Sequence, residues 1–241
     1  MNHGSVLHGD VRLHYLERDA LEPSHHVPVC IVPGMGERAS EYEWLVDALP
    51  ERHVVVVDVR GRGESDAPES GYTWEDHYGD VAAVIRATGS DRPVLVGFSR
   101  GSSYALGFVL AHPGVARGIV MGDYHARHVG LAAEAVEHQL NQTIRGVAMS
   151  ERMPEHAVRG VVAESVEVPL WDRLGELGVP MLVIHGGRRS SLVKDDVVER
   201  YRAALPSVDV HQLPDAGHDL WSDDPDAYLA ALRPFLDRID G

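Results

Sequence analysis

Gly97-Phe98-Ser99-Arg100-Gly101 is the stretch from which the fold of this chain can be inferred. A short apolar run, 93–96, precedes it, and a segment that can form a helix, 102–112, follows it and ends at a proline. A G-x-S-x-G pentapeptide between a buried strand and a helix forms a sharp turn that exposes the serine hydroxyl. The two glycines lack a Cβ, so strand and helix can approach each other closely. The alternative at this point is an ordinary glycine-rich turn.

Apolar runs alternate with helical patterns along most of the chain. This alternation predicts an α/β fold with a mostly parallel, doubly wound sheet and helices on both faces. Residues 5–17 alternate more loosely and predict an opening antiparallel strand or hairpin. The further predicted strands are 29–32, 53–58, 118–123, 180–185 and 208–213, and the further predicted helices are 41–49, 74–88, 170–177, 194–205 and 225–239.

Residues 124–167 interrupt the alternation. They contain no convincing strand, and they favour two helices, 131–144 and 155–165. Because the segment follows the carboxyl end of a strand, we expect a helical lid of about forty residues, added to a core of 1–123 and 168–241. The segment also carries four loosely spaced histidines, which favour solvated or capping roles over a metal site: His125, His128, His138 and His156.

Composition limits the classes of function. The chain has 241 residues, of which 44% are hydrophobic, which suits one α/β domain. Lys and Arg total 22 against 37 Asp and Glu, and the net charge of −15 argues against nucleic-acid and membrane partners. Cys30, the single cysteine, lies in an apolar run and predicts a small buried side chain. With no basic-then-apolar signal region at the N-terminus, we expect a cytoplasmic protein.

Four segments, in this order, resemble the α/β-hydrolase family. Residues 33–36, Pro-Gly-Met-Gly, resemble its oxyanion loop, and residues 58–65 resemble its D-x-R-G-x-G-x-S turn. Residues 97–101 resemble its nucleophile elbow, and residues 216–218, Ala-Gly-His, resemble the loop of its catalytic histidine. The glycines and arginines of the second segment could also suggest a phosphate loop, but the P-loop lysine pattern is missing.

The resemblance implies a nucleophilic serine and a histidine base. Ser99 would attack after His218 takes its proton, provided that a carboxylate orients the imidazole. The family places two backbone donors at the developing oxyanion, one directly after the nucleophile and one in the oxyanion loop. In this chain these would be the amides of Arg100 and Met35. No metal and no cofactor is expected.

The acid is the point at which this chain departs from the family pattern. The family commonly carries it a few residues beyond the segment that begins at 185, where this chain has Arg189. Asp195 and Asp196 lie further on, within a predicted helix. Asp123 stands directly after the strand that precedes the lid, and it keeps the order nucleophile, acid, histidine. We therefore expect Asp123 to be the acid, with Asp195 or Asp196 as the alternative acid. The alternative role for Asp123 is that of a helix or turn cap.

The resemblance thus implies a serine hydrolase that cleaves a small-molecule carboxylic ester, thioester or amide through an acyl-enzyme. Carbon–carbon bond hydrolysis and cofactor-free perhydrolase chemistry could use the same triad. A hydrolase-like ligand receptor is the alternative from another class. Phe98, Met35 and Trp221 are the expected wall residues of the substrate pocket.

Overall fold

The computed structural model describes residues 1–22 and 24–241. The strands are β1 (Asn2–His8), β2 (Val11–Arg18), β3 (Val29–Val32), β4 (Val54–Val57), β5 (Val94–Phe98), β6 (Gly118–Gly122), β7 (Arg127–His128), β8 (Thr143–Ile144), β9 (Val147–Ala148), β10 (Val168–Pro169), β11 (Met181–Gly186) and β12 (Asp209–Leu213). The α-helices are α1 (Glu43–Asp47), α2 (Trp74–Thr88), α3 (Arg100–Ala111), α4 (Ala135–Leu140), α5 (Met149–Arg152), α6 (Glu155–Glu164), α7 (Asp195–Ala204) and α8 (Pro225–Asp240). Two 3₁₀ helices span Ala39–Tyr42 and Trp171–Glu176.

Eight strands form one sheet in the order β1-β2-β4-β3-β5-β6-β11-β12. The pairs β1/β2 and β2/β4 are antiparallel. All other neighbours in this sheet are parallel. The predicted α/β architecture is therefore confirmed, and the opening strand is the first half of a hairpin. The strand order reverses between β3 and β5, and in open α/β sheets ligands bind at such a switch point, outside the carboxyl ends of the strands.

Both faces of the sheet are covered, which explains the continuous apolar runs in the sequence. Every residue of β3, β4, β5 and β6 is buried. Alternate side chains, such as Cys30 and Val55, pack in one core with α2, α3 and α7. The side chains between them, such as Val29 and Val54, pack in a second core with α1 and α8. This packing holds the carboxyl ends of the central strands in fixed positions.

The structure of segment 124–167 differs from the sequence prediction. The predicted helix 131–144 is only α4, and strands β7, β8 and β9 form where none was expected. The physical reason is the tight turn of the β8–β9 hairpin, in which Arg145 and Gly146 both adopt positive φ, 47° and 79°. Two residues with positive φ suit a type I′ hairpin turn, which ends the helical pattern.

Segment 124–167 packs on the carboxyl edge of the core through a third apolar cluster. Buried side chains of α5 and α6 surround Tyr72, which belongs to the core. Half-buried Met35 and Ile144 lie against the same cluster. The segment therefore contributes a separate small layer above the sheet. None of the helices described here has both the length and the apolar character that a bilayer crossing requires.

Candidate active site

Ser99 occupies a strained turn between β5 and α3. Its backbone adopts φ 49° and ψ −132°, a conformation that non-glycine residues rarely adopt. A Cβ on Gly97 would lie 2.5 Å from the Cα of Ser102, and one on Gly101 would lie 2.2 Å from the carbonyl oxygen of Val32. Only glycine fits at these two positions. The strand, turn and helix expected from the pentapeptide are therefore present.

Three side chains from separate loops are hydrogen-bonded in series at the carboxyl edge of the sheet. His218, in the loop after β12, places its Nε2 2.9 Å from the Oγ of Ser99. Its Nδ1 lies 2.7 Å from Oδ2 of Asp123, which follows β6 directly. A carboxylate at Nδ1 favours the tautomer with hydrogen on that nitrogen, so Nε2 is free to accept a proton from the hydroxyl.

Asp123 is completely buried, and the segment 190–193 surrounds it with donors. The Ser191 hydroxyl donates to its Oδ1 over 2.6 Å, and the amides of Leu192 and Val193 donate over 2.8 and 3.2 Å. Burial raises the pKa of Asp123, but the hydrogen bonds from His218, Ser191 and Leu192 outweigh it and hold the pKa below its usual range. The carboxyl group is therefore a carboxylate at neutral pH.

The alternative acids lie elsewhere. Asp195 and Asp196 begin α7 and are exposed to solvent, and Arg189 is exposed as well. The loop that commonly carries the acid in related sequences supplies Ser191 and two amides instead. Ser191 was not singled out by sequence reasoning, because a serine in a loop carries no pattern that relates it to a carboxylate 68 residues away.

The two expected oxyanion donors both lie on the wall of one cavity with Ser99. Arg100 is the first residue of α3, and the first amides of a helix have no acceptor within the helix. Met35 lies in a turn that a hydrogen bond from the Glu37 amide to the Gly34 carbonyl closes over 3.1 Å. A Cβ on Gly34 would lie 3.1 Å from the Cβ of Ser99, so this loop passes in contact with the serine.

The side chain of Arg100 points away from the oxyanion loop and joins α3 to segment 124–167. Its Nη1 donates to the Val129 carbonyl over 3.0 Å, and its Nη2 donates to Nε2 of His128 over 2.9 Å. Its Nε donates to the Tyr104 hydroxyl over 3.1 Å. Burial and the neighbouring guanidinium lower the pKa of His128 to about 3, so this histidine is neutral and can accept the hydrogen bond.

The cavity above Ser99 has a volume of about 400 Å³ and lies between the core and segment 124–167. Its core side includes Met35, Phe98 and His218, and its other side includes Val129, Leu131 and Ile144 from the segment. Polar groups also reach it, from Tyr124, Gln139, Gln142 and Ser190. The lining is thus mainly apolar, with a few uncharged polar groups and the buried carboxyl group of Glu37.

Of the expected wall residues, Met35 and Phe98 line the cavity and Trp221 does not. The Phe98 ring lies against His218, with ring centroids 5.1 Å apart. Trp221 is buried behind Phe98, at 4.6 Å between ring centroids, and it packs against Tyr42 on its other side. The prediction for Trp221 was wrong because the loop after His218 turns its indole into the core beneath the site.

Comparison with known proteins identifies the family of this chain. Residues 30–231 match the alpha/beta hydrolase family. This chain belongs to that family. A 2-(acetamidomethylene)succinate hydrolase of Mesorhizobium japonicum is 25% identical, over 85% of this chain and 86% of the relative. An esterase of Escherichia coli is 24% identical, over 94% of this chain and 99% of the relative. The structure of a putative aryl esterase from Burkholderia cenocepacia aligns with a TM-score of 0.83 at 18% identity, covers 99% of each chain and shows the shared fold.

The D-x-R-G turn of this α/β hydrolase, residues 58–61, is held by internal hydrogen bonds and an ion pair. Asp58 accepts hydrogen bonds from the amides of Ala39 and Glu64, over 2.6 and 3.1 Å. Arg60 pairs with the buried Asp80 over 2.6 Å. The charged groups of the turn are therefore used in internal contacts, which gives them a structural role.

The four histidines of segment 124–167 each have a separate protein partner. His125 contacts the Leu192 carbonyl, His128 contacts Arg100, His138 contacts Gln142, and His156 contacts the Ala67 carbonyl. His128 is buried against Arg100, so the solvated or capping role expected from the sequence is wrong for this histidine.

Proposed function

We propose that this α/β hydrolase cleaves a small carboxylic ester, thioester or amide through an acyl-enzyme on Ser99. The observation that carries the proposal is the hydrogen-bonded series of Ser99, His218 and Asp123, with separations of 2.9 and 2.7 Å. A serine hydroxyl is a weak nucleophile until a base removes its proton, and an imidazole is an effective base when a carboxylate fixes its tautomer.

In the acylation step, the Oγ of Ser99 attacks the substrate carbonyl carbon while Nε2 of His218 takes the hydroxyl proton. The resulting imidazolium is stabilised by Asp123, whose carboxylate is buried and desolvated. The amides of Met35 and Arg100 donate to the oxygen that becomes an oxyanion, and such preorganised donors contribute a large share of the rate acceleration. The bond to the leaving group then breaks, and His218 returns its proton to that group.

In the deacylation step, water takes the place of the leaving group. His218 removes a proton from the water, and the resulting hydroxide equivalent attacks the acyl carbon. As the second tetrahedral intermediate collapses, the ester bond to Ser99 breaks, His218 returns the proton to the Ser99 Oγ, and a carboxylic acid is released. The same base and the same two amides therefore serve both halves of the reaction.

Segment 124–167 serves as a lid that shapes the pocket. It supplies Val129, Leu131 and Ile144 to the wall opposite Met35 and Phe98. An apolar cavity of about 400 Å³ suits a short or branched acyl group, or a small aromatic group. The uncharged polar side chains of Gln139 and Gln142 can orient a carbonyl or amide of the substrate.

Turnover of a series of p-nitrophenyl esters, from acetate to octanoate, tests the proposal. We expect many turnovers per enzyme with the shorter esters, and Ser99→Ala should lose about 10⁴ or more in kcat while its melting temperature stays near that of the wild type. A wild-type protein that binds the esters, changes shape and releases less than one equivalent of product would contradict hydrolysis and favour a receptor.

A further inference from the structure

Arg145, at the tip of the β8–β9 hairpin, contacts three carboxylates from the core. Its Nη2 lies 2.7 Å from Oε1 of Glu37, and its Nη1 lies 3.3 Å from Oε1 of Glu41. Its Nε and Nη2 donate to the two oxygens of Asp219, over 2.8 and 3.2 Å. The guanidinium carbon also lies 5.3 Å from the ring centroid of Trp221. The strained positive φ of Arg145 is thus held by contacts on several sides.

Glu37 is a buried carboxyl group on the cavity wall that the proposed mechanism does not use. Its Oε2 accepts hydrogen bonds from the Gly34 amide over 2.7 Å and from the Tyr42 hydroxyl over 2.5 Å. A Cβ built on Gly34 would lie 2.9 Å from this Oε2 and 3.1 Å from the Cβ of Ser99. The carboxyl group therefore fixes the turn that carries the Met35 amide, and it does so close to the serine.

A negative charge at this position has a cost for the reaction. The hydrolysis creates an oxyanion beside Ser99, and a carboxylate nearby would oppose it, because charges interact strongly where water is excluded. Burial raises the pKa of Glu37 above its usual value, and the charge of Arg145 and the hydrogen bonds from Tyr42 and Gly34 only partly offset this rise. Arg145 is the largest of the influences that favour the ionised form. In the ionised form Oε2 accepts from the Gly34 amide and the Tyr42 hydroxyl, and Oε1 is free to accept from Arg145.

The same guanidinium reaches the loop of the catalytic base. Asp219 directly follows His218, and its carboxylate accepts two hydrogen bonds from Arg145. Burial raises the pKa of Asp219, and the hydrogen bonds from Arg145 and Ser222 lower it below its usual range. One side chain of segment 124–167 is therefore bound to the loop of the oxyanion donor and to the loop of the base.

We infer that Arg145 is a positioning residue for the hydrolysis. Its positive charge balances the negative charge of Glu37 beside the oxyanion loop, and its contacts connect that loop to the loop of His218. The inference rests on the proposed function, and it assigns to segment 124–167 a part in catalysis besides shaping the pocket. It predicts that the effect of losing Arg145 depends on the charge of Glu37. A contact that only held the hairpin in place would show that dependence in the melting temperature but not in kcat.

The test compares Arg145→Ala, Glu37→Gln and the double variant in the ester assay near pH 9, because a high pH favours the ionised form of Glu37, whose pKa burial raises. We expect Arg145→Ala to lower kcat by about tenfold to a hundredfold with a smaller change in KM, since the transition state loses more than the ground state. The double variant should recover at least about a third of that loss on a logarithmic scale, because an uncharged Gln at 37 no longer opposes the oxyanion. Arg145→Lys should keep most of the activity, since it retains the charge.

Arg159→Ala is the matched control, because Arg159 lies in the same segment but pairs with exposed Glu155 on the surface. It should behave like the wild type. If Arg145→Ala does not fold, Arg145→Gln provides the same comparison. Wild-type kcat in the Arg145 variant, or a double variant no faster than the single one, would overturn the inference and leave the proposed function standing. A wild-type enzyme without ester turnover would overturn both.

Discussion

Replacing Asp123 by Asn tests the assignment of the acid. Oδ1 of Asp123 accepts from the Ser191 hydroxyl and the Val193 amide, and Oδ2 accepts from the Leu192 amide and from His218. An Asn at 123 must turn its NH₂ group toward one of these two sets of donors. In one orientation the NH₂ group faces the Leu192 amide and the His218 imidazole, and in the other it faces the Val193 amide and the Ser191 hydroxyl. A donor then faces a donor in both orientations, so the hydrogen bonds are disturbed in either case.

The expected loss has a catalytic and a structural part. If the NH₂ group faces His218, the imidazole is held in the tautomer that cannot take the Ser99 proton, and the imidazolium of the transition state loses its counter-charge. This should lower kcat by roughly 10²–10⁴, or about 3–5 kcal/mol in the barrier. The backbone amide that faces the Asn NH₂ group loses its acceptor. This loss should lower the free energy of unfolding by about 1–3 kcal/mol, which leaves a folded protein.

Initial rates with p-nitrophenyl butyrate and thermal melting, measured on each variant, separate the two parts. Asp195→Asn and Asp196→Asn are the matched controls, because both side chains are exposed at the start of α7. Each should change kcat by less than about tenfold. If Asp123→Asn keeps near-wild-type kcat and one of the other two loses its activity, the acid is not Asp123.

Three further outcomes are expected. Ser191→Ala removes one of the donors to Asp123 and should lower kcat by about threefold to thirtyfold, with a smaller effect on melting than on rate; equal rates for Ser191→Ala and wild type would show that this hydroxyl is dispensable. The pKa of Asp240 is lowered to about 2, since the hydrogen bonds and charge of Arg52 outweigh its burial. The stability that the Asp240 carboxylate contributes is therefore present above about pH 4 and is lost as the pH falls toward 2. In denaturant unfolding between pH 5 and pH 2, the free energy of unfolding should depend less on pH for Asp240→Asn than for the wild type. An adipate half-ester should be cleaved more slowly than the uncharged hexanoate ester of the same alcohol, because its second carboxylate would lose hydration against the mainly apolar wall of the cavity; a faster adipate reaction would contradict this view of the pocket.

Much of the fold could be predicted because its signals are local. Buried parallel strands are continuous apolar runs, so β3 was predicted with its observed bounds and β5 to within two residues of its observed bounds. Helix α2 was predicted with its observed bounds, since Gly89 ends it in a left-handed conformation, with φ 63°. The nucleophile turn was predicted for a similar reason, as its glycines are required by contacts within one short stretch of chain.

What the sequence could not predict depends on contacts between distant parts of the chain. Segment 124–167 has weak local preferences, and its hairpin is held by the ion pairs of Arg145 with carboxylates of the core. The direction of Trp221 depends on the space behind Phe98, which only the packed sheet defines. Ser191 contacts Asp123 because the loop after β11 crosses the end of β6, and no spacing in the sequence records that crossing.

Covalent labelling with a fluorophosphonate is the most direct test of the central claim, that Ser99 is a nucleophile activated by His218. We expect one equivalent of label per chain, located by mass spectrometry on the peptide that contains Ser99. We also expect no active-site labelling of Ser99→Ala and a labelling rate at least about a hundredfold lower for His218→Ala. Stoichiometric labelling of Ser99→Ala, or a label on another residue of the wild type, would show that Ser99 is not the nucleophile.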